Sequence, residues 1–451
     1  MRILQVSCSY FPDMVGGTEE YVHTLSQGLL AKGHSVFVHY VGSFCERGGP
    51  SLRSREYLFE NIPVYAIEKN TFGLHTAELY FDPAEKTRSS FKEYCNRIAP
   101  DIVHFHHFSP TDVIAQMQVA KDRGLPVLLT YHAPMMTCGR ADMIYRGERS
   151  CRGIIEYKRC LVCTQARYGV PLFLAWAWSN VPVSVAVWLS TAIDRRGLSS
   201  RLATWLQLPY LSKKRIDMWK KGLSLVDHFV AVCQWAHDTL LENGIPAQKI
   251  SVCRHGIQEV PRVKKKVRGD ILRIGYLGRI HPAKGIEILL KAVQRLPRSL
   301  QIEVSLYGVV GPDAIDRAYY ARLLKKYDKD NRIRWMGLLT AENKGKVLAG
   351  LDVVVIPSIF LETGPLVLLE AWAAGVVVVG SRLGGIAELI KEGLGGFLFD
   401  PGDVKGLANV LLRVSLQPGL LDGAASGIPA VRTAEQVTDE MVLLYQRLVQ
   451  R

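Results

Sequence analysis

Pro357-Ser-Ile-Phe-Leu-Glu362-Thr-Gly-Pro-Leu-Val-Leu-Leu-Glu370-Ala-Trp-Ala-Ala-Gly375 sets two carboxylates eight positions apart, on either side of a Gly-Pro pair. The apolar run Val353 to Ile356 before it reads as a buried strand. The chain then passes through a loop holding Glu362 and enters a helix near Pro365, since proline suits the first helical position. Free amides at such a start, near Gly364 to Val367, favour an anion such as a diphosphate. Glu370 falls on the helix, where its carboxylate can accept two hydrogen bonds from a ribose diol. Glu362, ahead of the helix, can hold hydroxyls of a sugar. Strand, loop and helix in this order belong to a doubly wound sheet, in which ligands sit at the carboxyl ends of the strands.

The same alternation extends in both directions. Downstream of residue 270, Leu272 to Leu277, Ile302 to Tyr307, Ile333 to Met336, Val376 to Val379 and Phe397 to Phe399 read as further strands, with a helix over Lys284 to Val293. Upstream, Ile3 to Val6 is a strand, Gly16-Gly17-Thr18-Glu19 a loop, and Tyr21, Leu25, Leu29 and Leu30 mark one face of a helix. Ser35 to His39, Val64 to Ile67, Ile102 to Phe105, Val127 to Thr130 and Phe229 to Val232 continue the strand series. Val260 to Asp270, basic and broken by Pro261 and Gly269, reads as a linker between the halves. A chain of 451 residues that is 48% apolar exceeds one core in any case. The expected class is therefore α/β, two Rossmann-like doubly wound domains facing across a cleft. The boundaries are 1–262, with an insertion at about 138–220, then 270–430, and a last helix within 431–451.

Glu362-x7-Glu370, within E-x-G-P-L-x-x-x-E-A, resembles the signature of retaining glycosyltransferase family 4, whose fold is GT-B. Gly278-Arg279-Ile280 with Lys284-Gly285 resembles the family's G-R-x-x-x-x-K-G element. Read bottom-up, that element is a strand end carrying Arg279 and a helix start carrying Lys284, two cations suited to a pyrophosphate. Gly384-Gly385-Ile386-Ala387-Glu388 and Phe399-Asp400-Pro401-Gly402-Asp403 follow later family motifs. Gly16-Gly17-Thr18-Glu19 resembles its first loop, and Tyr131-His132 its active-site histidine. Arg254-His255-Gly256-Ile257 departs from the usual N-G-I-D.

The resemblance implies an acceptor-side N-terminal domain, a C-terminal donor domain and a last helix crossing back to the first. It implies sugar transfer of the hexosyl type, with retention, from a UDP- or GDP-linked sugar to a glycan or lipid-linked acceptor, in cell-surface polysaccharide assembly. On that basis Glu362, His132, Arg279 and Lys284 are the catalytic candidates. Gly16, Gly17, Arg279, Lys284, Gly364, Pro365, Leu366 and Glu370 are the donor-binding ones. No catalytic metal is expected, and no Asp-x-Asp motif stands near the site.

Cys138, Cys151, Cys160 and Cys163 form C-x12-C-x8-C-x2-C, a pattern that suits a structural zinc ahead of an iron–sulfur cluster. Reduced cysteines in an insertion are the plainer reading. His104 and His106 share a face but show no third ligand, which favours packing or acceptor contacts over metal. The odd total of nine cysteines and the absence of a signal-like start point to the cytoplasm. Tyr168 to Ile193 carries no charge and is long enough to span a membrane, although Pro171 and Pro182 interrupt it. Trp176, Trp178 and Trp188, followed by Arg195, Arg196, Arg201, Lys213, Lys214 and Arg215, suit peripheral contact with an acidic membrane at its inner face, and a helical hairpin packed against the core fits the segment equally well. The formal charge of +14 fits such a partner or phosphorylated substrates. Two other readings are a nucleotide-sugar epimerase of the same fold and a zinc-bearing nucleic-acid-binding protein; no nucleic-acid module is legible, so nucleic acid is not an expected partner.

Overall fold

The computed structural model describes residues 1–13, 16–42, 52–69, 85–108, 112–167, 169–195, 201–258, 269–311 and 314–450. It divides into two compact units, Met1–Val232 with Ala236–Cys253 and Thr438–Arg451, and Cys233–Trp235 with Arg254–Val437. Residues 259–268, most of the basic linker expected from the sequence, lie outside the described residues.

The first unit is built on strands β1 (Arg2–Ser7), β2 (Ser35–Gly42), β3 (Leu52–Phe59), β4 (Ile62–Lys69), β5 (Ile102–Phe105), β6 (Val127–Tyr131), the short β7 (Ile144–Tyr145) and β8 (Arg149–Ser150), β9 (His228–Ala231) and β10 (Ile250–Val252). Its main sheet runs β10-β9-β6-β5-β1-β2-β4-β3, parallel except for the β3–β4 edge pair. β5 and β6 are buried along their whole length, as parallel strands covered on both faces must be. β1 lies between β2 and β5, so the winding reverses at its two sides. β7 and β8 form a separate small hairpin. The insertion contributes helices Tyr157–Arg167, Leu172–Ser179, Val183–Arg195 and Arg201–Ser224.

The second unit holds β11 (Leu272–Leu277), β12 (Ile302–Tyr307), β13 (Ile333–Gly337), β14 (Val353–Ile356), β15 (Val377–Ser381), β16 (Lys391–Glu392) and β17 (Gly395–Phe399). The order is β13-β12-β11-β14-β15-β17-β16, parallel throughout. The switch point falls between β11 and β14, which Arg273 and Asp352 clamp with a 3.0 Å ion pair. One face of this sheet packs on Leu289, Leu290, Val293, Leu407 and Leu411, the apolar faces of helices Ile286–Arg295 and Val404–Leu416.

The C-terminal helix Ala434–Val449 belongs, from Thr438 onward, to the first unit. Its Thr438 side chain fills the space that a Cβ at Gly28 would need, and Asp439 pairs with Lys32 at 2.6 Å. Tyr445 is fully buried, and its hydroxyl meets Gln5 of β1 and His104 of β5.

Candidate active site

The donor-side candidates converge at the switch point of the second sheet. β11 ends at Leu277, and Tyr276 donates a 2.8 Å hydrogen bond to the Arg279 carbonyl, which pins the turn and leaves the guanidinium exposed. Lys284 closes a single 3-10 turn, Pro282–Lys284, rather than starting the following helix as the sequence suggested; that helix begins at Ile286. Gly285 follows at φ 69° with the Pro357 carbonyl against it, so any side chain there would collide with the backbone after β14. The amide of Ile359 donates to the Ala283 carbonyl at 2.9 Å and ties the two loops together.

That contact brings Lys284 onto Glu362. The ammonium donates to Oε1 at 2.8 Å and lies 4.8 Å from the Phe360 ring centroid. Ser358 donates to the same Oε1 at 2.6 Å, so the buried carboxylate has a cation and a hydroxyl as partners. The loop around it is held from outside: Trp235 donates to the Glu362 carbonyl at 2.9 Å, and so does the Gly385 amide at 2.6 Å. A Cβ on Gly384 or Gly385 would lie 2.7 Å from backbone atoms of Glu362, Thr363 or Gly364, which is why two glycines stand at that motif. Glu388 accepts from the Gln234 and Trp235 amides at 2.8 Å each and pairs with Arg254 at 3.0 Å.

Pro365 is the N-cap of helix Leu366–Ala373 and not its first residue. Gly364, Leu366 and Val367 sit at its start, and Glu370 lies one turn in. Lys344, on helix Ala341–Ala349, donates to Glu370 Oε1 at 2.7 Å. Lysine and carboxylate therefore alternate here as two pairs, Lys284 with Glu362 and Lys344 with Glu370, beside a helix start whose dipole favours anions.

In the first unit, Gly16 caps helix Gly17–Ala31 in an extended conformation at the carboxyl side of β1. Glu19 in its first turn is buried and accepts from Ser9 and, at 3.4 Å, from Cys8. His132 follows β6, is buried, and stacks edge-on against Tyr21 at 4.7 Å. Its Nε2 lies 3.0 Å from Nδ1 of His106.

Residues 15–259 match the description "Glycosyltransferase Family 4", more than half of the chain, and residues 272–417 match "Glycosyl transferases group 1". The chain belongs to glycosyltransferase family 4. Among curated proteins, this family member is 31% identical over 208 residues to the amylovoran biosynthesis glycosyltransferase AmsK of Erwinia amylovora. That match takes in 44% of the chain and 48% of the relative, so the chain spans about half the length of the relative it matches. Among solved structures, sucrose-phosphate synthase of Thermosynechococcus elongatus superposes with a TM-score of 0.66 at 19% identity, covering 99% of this chain and 98% of the other. HepE of Anabaena, solved with UDP and glucose, gives a TM-score of 0.61 at 16% identity over 98% and 99%. These likenesses fix the fold of the family 4 chain as GT-B, with one Rossmann-like sheet per unit.

The insertion of this family member gathers the four cysteines from three separate segments. Burial raises the Cys160 and Cys163 thiols, and the neighbouring Cys138 and Cys151 raise each further. The Arg146 amide donates to Cys163 Sγ at 3.1 Å and the Gly153 amide to Cys151 Sγ at 3.5 Å. Among the described residues, no group of three or more His, Cys, Asp or Glu is arranged to hold a metal ion. Arg215 and Trp219 of helix Arg201–Ser224 donate to the carbonyls of Cys138 (3.1 Å) and Met136 (2.7 Å), so the insertion braces the loop that follows His132.

Lys344 and Glu19 were not singled out as site residues from the sequence. Lys344 stands in an ordinary polar helix, and only the fold brings it to Glu370, 26 residues on. Glu19 sits inside a motif chosen for its glycines, and its burial with Ser9 has no local signature.

Proposed function

We propose that this chain is a retaining hexosyltransferase that moves a sugar from a UDP- or GDP-linked donor to a glycan or lipid-linked acceptor at the inner face of the cell membrane, in cell-surface polysaccharide assembly. The observation that carries the reading is the pairing of Lys284 with Glu362 and of Lys344 with Glu370 around the start of helix Leu366–Ala373. A nucleotide diphosphate sugar matches each group: phosphate oxygens for Lys284, Arg279 and the helix amides, and hydroxyls for the two carboxylates.

In the transfer, the bond from the anomeric carbon to the diphosphate breaks and its electron pair leaves on the phosphate oxygen. Arg279 and Lys284 stabilise that developing charge, an interaction stronger in the transition state than in the ground state. The acceptor hydroxyl forms the new bond on the same face, and its proton passes to the departing diphosphate. Glu362 holds sugar hydroxyls and Glu370 the ribose diol. Family membership supports retention, and the name of the relative AmsK, which places that protein in amylovoran biosynthesis, supports a glycan acceptor. The exposed apolar helices Leu172–Ser179 and Val183–Arg195 support placement at a membrane surface.

The test is a panel of nucleotide sugars offered to the purified protein, with donor binding and slow donor hydrolysis measured for the parent and for Glu370→Ala. One donor should bind selectively, and Glu370→Ala should weaken it by roughly 10-fold to 100-fold, as the loss of a charged hydrogen-bonding partner does. Folded protein that binds no donor would refute the reading. Epimerisation of a bound donor without acceptor would replace it with the epimerase reading.

A further inference from the structure

Beneath His132 the first unit contains an unbroken run of buried polar side chains, all fully or almost fully inaccessible: Gln5 on β1, His104 and, just past β5, His106, Thr130 on β6, and Tyr445 on the C-terminal helix. The links are His132 Nε2 to His106 Nδ1 at 3.0 Å, His106 Nε2 to Gln5 Oε1 at 2.6 Å, Gln5 Nε2 to Tyr445 Oη at 3.3 Å, Tyr445 Oη to His104 Nδ1 at 2.7 Å, and His104 Nε2 to Thr130 Oγ1 at 2.6 Å.

The run has one polarity. Gln5 turns its carbonyl to His106 and its amide nitrogen to Tyr445. An amide carbonyl only accepts, so His106 carries its proton on Nε2. Burial, reinforced by the neighbouring histidines, holds His104 and His106 well below the ordinary imidazole value, so each ring is neutral and has a single proton. With Nε2 of His106 protonated, its Nδ1 must accept, and the donor facing it is Nε2–H of His132. At the far end, Tyr445 accepts from Gln5 and donates to His104 Nδ1, and His104 donates from Nε2 to Thr130. Every link is then satisfied in one direction, as a buried polar network requires.

We propose that Tyr445, acting through Gln5 and His106, is a positioning residue that locks His132 as its Nε2–H tautomer and leaves Nδ1 as the acceptor. The inference rests on the reading of His132 as an active-site group. It gives the crossing helix a role in the site: its hydroxyl decides which nitrogen of His132 can accept a hydrogen bond. A histidine that donates from one nitrogen inside the fold presents the other only as an acceptor, to a group that donates to it, such as a hydroxyl.

The experiment compares full-length Tyr445→Phe, Gln5→Met and His132→Ala with the parent, in steady-state transfer and in nitrogen-15 NMR of the histidine rings. Phenylalanine keeps the aromatic packing and removes only the hydroxyl. Gln5→Met, close to isosteric, cuts the run one step nearer His132 should the first variant fold poorly. His132→Ala should abolish most transfer. Tyr445→Phe or Gln5→Met should lower kcat about tenfold with the donor KM nearly unchanged, and His132 should show a mixture of tautomers where the parent shows Nε2–H. Loss of activity with the His132 tautomer unchanged would mean a structural role only and would overturn the proposal, as would full activity in both run variants. Full activity in His132→Ala would instead remove the active-site reading on which the proposal stands.

Discussion

Lys284 and Glu362 depend on each other. The carboxylate is buried with two donors, the Lys284 ammonium at 2.8 Å and the Ser358 hydroxyl at 2.6 Å. Lysine is the more exposed partner, and its charge is compensated until a phosphate competes for it. Lys284→Ala therefore acts twice: it removes a cation from the leaving group, and it leaves Glu362 buried with one neutral partner. Transfer should fall by about 10²–10³-fold, the range for loss of one electrostatic stabiliser. The stability cost should be about 1–3 kcal/mol, that of an under-satisfied buried charge. Lys284→Arg should recover stability more than activity, because the fork reaches Glu362 but presents different geometry to a phosphate. Steady-state kinetics and thermal melts separate the two effects; transfer within about threefold of the parent in Lys284→Ala would end the assignment. Both residues were legible in the sequence, as members of motifs assigned to different ligand groups. Their pairing was not, because it spans 78 residues and depends on how the loops after β11 and β14 meet. Of the second pair only Glu370 was legible, because Lys344, 26 residues before it, belongs to no motif.

The elements show where local reading succeeds and where it stops. The uniformly apolar run Val353–Ile356, and Leu272–Leu277 with Arg273 as its one charge, fall where the strands are, since parallel strands buried on both faces announce themselves by composition. β3, Leu-Arg-Ser-Arg-Glu-Tyr-Leu-Phe, was missed because an edge strand with one face in water reads as a polar loop. The uncharged segment from residue 168 to Ile193 is a different case. It has the length of a span, yet no single helix in it is long and apolar enough to cross a membrane, and Leu172–Ser179 and Val183–Ile193 meet at 100°. Helices of 8 and 13 residues would reach about 12 and 20 Å, against a hydrocarbon core of roughly 30 Å. What they offer is a surface: Phe173, Trp176 and Trp188 are each at least 65% exposed, while Trp178 turns inward and stacks on Trp205 at 5.2 Å. Exposed aromatics on a chain of net charge +14 suit the headgroup level of an anionic bilayer. The full chain should sediment with vesicles containing an acidic phospholipid and weakly with zwitterionic ones. Trp176→Ala with Trp188→Ala should lower that affinity by roughly tenfold or more, since each ring buries a side chain worth about 1.5–3 kcal/mol. Equal binding by parent and variant would assign these helices to some other contact.

Across the molecule, the two sheets share one winding rule but differ in what they bury. The switch point of the second sheet gathers charged pairs, and that of the first gathers histidines. His39 is fully buried on β2, its Nδ1 donating to the Tyr65 carbonyl at 2.8 Å and its Nε2 accepting from Gln116 at 3.0 Å. Burial lowers His39 and His107 to about 4, and holds His104 and His106 well below the ordinary value. In the second unit, burial lowers His255 in the same way, to about 4. These rings are neutral in the folded chain, whereas the unfolded chain protonates them below about 6.5. Between about 4 and 6.5 the unfolded state therefore binds more protons, and stability is complete above that window and lost as the pH falls through it. Each ring contributes about 1.4 kcal/mol per pH unit within the window, and the first unit holds four of the five. Asp330, held below its ordinary value by hydrogen bonds from Arg332, gives up its contribution only at lower pH, below 3.8. The melting temperature should thus be level from pH 8 to about 7 and drop steeply below about 6.5, with the N-terminal unit unfolding first. Calorimetry at half-unit steps, with His39→Gln as the variant that keeps a neutral hydrogen-bonding side chain, reads this directly. The variant should show a shallower acid slope than the parent. A melting temperature that stays flat down to pH 5 would mean that these histidines are not held neutral by the fold, and would also remove the ground for a fixed tautomer beneath His132.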